Sequence, residues 1–161
     1  MSGRSHLIAS GLMGTLVGTL AAIPVLNVSF SCCCLPLVVG VAGAIFMTLK
    51  TNDNAPMSNN QAMAIGLLTA IVATMVYFFV GTGLQLLTIA LIPEYQEIFA
   101  QPEFQARLIE KIGITGGIFF FTIITQVVWA FIFGIILCVL SPLIGLATLN
   151  FVFPKRLEGA E

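Results

Sequence analysis

Charge is what this chain has least of. Only 8% of its 161 residues are Asp, Glu, Lys or Arg, against roughly a quarter in an ordinary soluble domain. No such residue occurs between Arg4 and Lys50, between Asp53 and Glu94, or between Lys111 and Lys155. Ionisable groups inside a membrane mark proton relays, ion pathways and voltage sensors. The three long gaps offer none, which argues against ion-coupled transport. The one histidine, His6, stands near the N-terminus, so the apolar stretches hold no axial ligand for haem or chlorophyll. No nucleophile–base pair, H-E-x-x-H motif or phosphate loop is present. The expectation is therefore a protein that is not an enzyme and carries no cofactor or metal. Without a basic patch, nucleic acid is not expected as a partner either.

What the chain has in excess is apolar surface: 58% of residues are hydrophobic. A soluble fold of this size has too high a surface-to-volume ratio to hide that much, so a lipid bilayer is the expected solvent. A helix crossing the hydrocarbon core needs about 20 mostly apolar residues, and each gap holds one or two. The first holds two, spans 7–26 and 33–49. The turn between them is supplied by Pro24, Asn27, Ser29, Ser31 and Pro36. The third span covers 62–92 and, at about 1.5 Å per residue, exceeds the core, with Gly81 and Gly83 as the expected points of give. The fourth covers 113–140 and is expected to break at Ser141-Pro142, since proline removes a backbone donor and crowds the preceding turn. The piece 143–153 is too short to span and reads as a kinked extension, a re-entrant segment or an interfacial helix. The fold class expected is all-α, a single polytopic membrane domain of four transmembrane helices in two antiparallel hairpins.

Basic residues near span ends set orientation. With both termini cytoplasmic, Arg4, Lys50, Lys155 and Arg156 lie inside and Arg107 and Lys111 outside. The external segment 93–111 carries Phe104, Leu108 and Ile112 at four-residue intervals, with Glu103 and Arg107 paired on another face. A short amphipathic helix beginning near Gln101-Pro102 is expected there. The first apolar stretch is longer than a signal-peptide core and lacks a small-x-small cleavage site, so it is read as a retained span.

Three features remain as candidates for function. Gly11, Gly14, Gly18 and Ala22 share one face of the first helix, with Gly14 and Gly18 in G-x-x-x-G spacing. Gly40, Gly43 and Ala44 offer a similar surface on the second helix, and Gly113, Gly116 and Gly117 on the fourth. Small residues let backbones approach, either within one bundle or between subunits of an oligomer. Cys32, Cys33 and Cys34 form a run whose alternate side chains point apart, a poor arrangement for one tetrahedral metal. Packing, an external disulfide or acylation, and redox work all stay open for it. Gln85, Gln126 and Tyr77 are the polar groups expected at depth, with a Tyr77–Gln126 hydrogen bond as the specific pairing.

The order G-L-M-G-T-L-V-G, I-P-V-L-N, S-C-C-C-L-P and V-V-G-V-A-G-A, carrying Ile23, Pro24, Asn27, Cys33, Cys34, Gly40 and Gly43, resembles a group of small bacterial membrane proteins. These have four predicted helices, a glycine-rich first helix, an I-P-x-x-N turn and a cysteine-rich start to the second. The resemblance implies the four-helix fold and the bacterial inner membrane, and no activity or active-site residue. The leading functional expectation is a helix-packing protein, either an accessory subunit beside other membrane subunits or a homo-oligomer. A channel or carrier for a small neutral solute, lined by Thr69, Thr74, Gln85, Thr122, Thr125 and Gln126, is the alternative. A thiol-redox membrane protein is the third.

Overall fold

In the computed structural model, the structure describes residues 3–23, 35–53, 55–94 and 117–154, together with 97, 101–103, 106, 107 and 110. Among them there are four α-helices and no strand: α1 (Gly3–Ala22), α2 (Leu35–Thr51), α3 (Asn59–Leu91) and α4 (Gly117–Ala147). A π-helical turn, Thr148–Val152, extends α4. By length and composition α1, α3 and α4 are long and apolar enough to cross a membrane. The 17 residues of α2 are apolar but short, about 26 Å at 1.5 Å per residue.

Local chemistry sets the helix ends. Residues before proline avoid the helical region, and α1 stops at Ala22, with Ile23 standing before Pro24. Set beside the expected span 7–26, the helix begins at Gly3 and takes in Arg4, and residues 24–26 lie outside the described residues. Pro36 falls in the first turn of α2, where its missing N–H costs no helical bond. A turn follows α2, closed by the Ala55 N–H donating to the Asn52 carbonyl at 2.9 Å, with Asp53 at a φ of 51°. Ser58 then caps α3 reciprocally. Its hydroxyl accepts from the Gln61 N–H at 3.3 Å, and its own N–H donates to Gln61 Oε1 at 3.0 Å. At the far end Ile92, extended before Pro93, returns its N–H to the Thr88 carbonyl at 3.0 Å.

Helix α3 is continuous through Gly81 and Gly83, the expected points of give; at about 50 Å it outruns a core of roughly 30 Å. Likewise α4 does not break at Ser141-Pro142 but carries Pro142 inside it and continues to Ala147. Membrane helices tolerate proline where neighbouring helices and local π adjustments compensate the lost bond. Here the Ser141-Pro142 backbone is packed on α3 at Gly66, and the π-helical turn follows within two turns. Helical structure thus continues from α4 through the piece 143–153 as far as Val152.

The bundle is small inside and large outside. Ala9, Ala21, Ala44, Ala62, Ala70 and Ala73 are buried together with Ser10, Thr48, Thr69 and Gln126. The exposed surface carries Leu12, Phe46, Phe79, Trp129, Phe131 and Ile135 among many other large apolar residues. Water would drive these groups inward; hydrocarbon does not, and leaves close backbone packing to hold helices together. Helix α4 shows this most fully, with a buried stripe through Thr122, Gln126, Ala130, Leu137, Ser141 and Gly145 and large exposed apolar residues such as Trp129, Phe131 and Ile135 on its other faces.

Candidate functional site

Three seams of small residues organise the bundle. Along α1 and α2, antiparallel, Val17 lies against Gly40, Met13 against Gly43, and Ser5 against Asn52. Asn52 Nδ2 donates to Ser5 Oγ at 3.0 Å and to the Thr48 carbonyl at 3.1 Å, tying the start of α1 to the end of α2. Along α1 and α3, parallel, Ser10 donates to the Ile65 carbonyl at 3.4 Å. A methyl group on Gly14 would stand 2.8 Å from the Thr69 carbonyl oxygen, and one on Gly18 would collide with that of Ala73.

The α3–α4 seam is the longest and runs antiparallel. Its glycines alternate between the two helices. Gly145 lies on the Ala62 backbone, Gly66 on that of Ser141, Gly134 on the Thr74 side chain, and Gly81 on the Gln126 amide. Gln126 is 2% exposed, and its Nε2 occupies the space a Cβ at position 81 would need. One turn earlier on α3, the Tyr77 ring lies 4.7 Å from that of Phe133, tilted by 38°. Tyr77 and Gln126 thus do belong to one buried region, with the amide seated over Gly81.

Most hydroxyls in the bundle are satisfied within their own helix. Thr48, Thr69, Thr74 and Thr82 each donate to the carbonyl four residues back, at 2.6–2.9 Å. Of the residues expected to line a pore, Thr69, Thr122 and Gln126 are buried in the seams, Thr74 and Thr125 are half-buried, and Gln85 is exposed. Ser141 differs from the threonines. It is fully buried, and its Oγ has no hydrogen-bond partner among the described residues.

The expected packing glycines divide. Gly14, Gly18, Gly40 and Gly43 sit at helix contacts, and Ala22 is buried, whereas Gly11 has open space where a Cβ would go. Gly113, Gly116 and the thiols Cys32, Cys33 and Cys34 lie outside the described residues, and Gly117 opens α4. Cys138 is a half-buried free thiol. Gly66, Gly134, Gly145 and Ser141 are seam residues that the sequence reading missed. The spacing A-x-x-x-G at 62–66 and S-x-x-x-G at 141–145 repeats that of Gly14 and Gly18, and was the available signal. No protein-family model matches the chain, and neither does any curated protein or solved structure.

Proposed function

We propose that the chain is a non-enzymatic integral membrane protein that works by helix packing, as an accessory subunit of a larger membrane assembly or as a self-associating bundle. The carrying observation is the division of its surfaces. Gly14, Gly18, Gly40, Gly43, Gly66 and Gly81 serve contacts inside the bundle, and the polar groups beside them serve the same contacts. Outward, α4 presents Phe120, Val127, Trp129, Phe131, Ile135 and Val139, with no ionisable group among them. A surface of that kind suits lipid or another apolar helix, and it suits chemistry poorly.

The basic residues Arg4, Lys50, Lys155 and Arg156 support termini on the cytoplasmic side, and the resemblance of the hairpin motifs to those of small bacterial membrane proteins supports a bacterial inner membrane. Extraction of the full chain into mild detergent, followed by native mass spectrometry, tests the proposal. A stoichiometric partner or a defined homo-oligomer is the expected species. A chain recovered only as a monomer would count against it.

A further inference from the structure

Ser141 and Pro142 together place an unpartnered hydroxyl and a missing helical donor in one turn of α4. Pro142 has no N–H, so the Cys138 carbonyl, four residues back, loses its helical donor. Ser141 Oγ is a donor with no partner among the described residues, and Ser141 is fully buried. In sequence the hydroxyl stands three residues from that carbonyl, within the reach of a helical serine that turns its side chain back on its own helix. The turn also meets its neighbour backbone to backbone, since the Ser141 carbonyl and Pro142 nitrogen lie directly on Gly66. Beyond it α4 passes into the π-helical turn Thr148–Val152, whose Leu149 is fully buried, and Phe153 then reaches the Phe46 ring of α2 at 6.4 Å.

We propose that Ser141-Pro142 is a two-position hinge. In the position seen here the Ser141 hydroxyl is undonated and the turn rests on Gly66. In the other, Ser141 Oγ donates to the Cys138 carbonyl, α4 bends at the proline, and the segment 143–153 shifts relative to α2 and α3. Back-bonding of this kind bends helices, and hydroxyl side chains are one of the means by which membrane helices satisfy groups freed by proline. π-Helical turns, which accommodate such adjustment, recur at functional sites.

Cys138-Val139 is the only Cys-Val pair in the chain, which makes the hinge observable in the unaltered protein. Full-length protein carrying carbonyl-13C cysteine and 15N valine, placed in phosphatidylethanolamine–phosphatidylglycerol bilayers, gives a 13C–15N filtered solid-state NMR signal from the Cys138 carbonyl alone. The expected spectrum has two carbonyl resonances, or one at an exchange-averaged position. The hydrogen-bonded, downfield component is lost in Ser141→Ala and retained in Ser141→Thr. Should the alanine variant fail to insert, Ser141→Gly lacks the same hydroxyl and must lose the same component. A carbonyl signal unchanged by removal of the hydroxyl would overturn the hinge.

Discussion

At the scale of single residues, the deciding quantity is the room left for one methyl group. Gly81 and Gly83 are two residues apart in α3, yet a Cβ at the first meets the Gln126 amide and a Cβ at the second meets nothing. Overpacking a closed contact costs about 1–3 kcal/mol, whereas a change in open space stays within about 0.5 kcal/mol. Gly81→Ala is therefore expected to lower stability toward the low end of that range in mixed-micelle unfolding, because what must move is the end of the Gln126 side chain, and Gly83→Ala to leave the midpoint nearly in place. In a Gln126→Ala background the cost of Gly81→Ala should fall by about 0.5 kcal/mol or more, the lower end of what a double-mutant cycle reads for groups in contact. Equal costs in both backgrounds would mean that the amide does not fill that space. Residue-scale roles were the hardest to read in advance. Gly14 and Gly18, in G-x-x-x-G spacing, lie against α3, whereas Gly11, expected on the same face, has open space before it. Spacing reports which residues share a face; which turn of that face meets a neighbour depends on where the helices cross.

At the scale of the element, helix limits follow local chemistry more closely than hydropathy. Arg4 looked like a boundary because it is charged, but it lies inside α1. Pro24 after α1, Ser58 and Gln61 at the start of α3, and Pro93 at its exit each carry a local sequence signal, although the expected first span ran past Pro24 and the cap formed no part of the expectation. The break at Ser141-Pro142 was misjudged for a complementary reason. Proline's missing donor is visible in the sequence, while Gly66, 75 positions away in the chain and packed on that turn, is not. The capping pair lends itself to measurement. Loss of a serine N-cap costs about 0.5–2 kcal/mol, so Ser58→Ala should speed amide exchange in the first turn of α3 and leave Thr69–Tyr77 protected. Uniformly faster exchange along α3 would show instead that the cap supports the whole bundle.

At the scale of the molecule, the all-helical class and the apolar spans were fixed by the three uncharged gaps alone, and the antiparallel pairing of α1 with α2 and of α3 with α4 agrees with the expected hairpins. The outward face of α4 has one natural reporter. Trp129 is the chain's single tryptophan and is 56% exposed. In bilayers containing brominated acyl chains, the isolated protein should show strong quenching of its fluorescence. If α4 is where a partner docks, co-purified assemblies should be quenched by less than half as much; equal quenching in both would move the docking surface off α4.

The parallel seam between α1 and α3 has a consequence in time. Gly14 and Gly18 meet a helix that lies about 55 positions further along the chain, so during synthesis α1 and α2 emerge with that face still bare. Until residues 59–81 emerge and cross, the face is open to lipid or to any other helix with small residues in the same spacing. The bundle closes only when α3 arrives, and α3 brings in the same event the surface on which α4 will later seat. One helix, third in order, thus governs the moment at which the whole chain commits to its own contacts over those of its neighbours in the membrane.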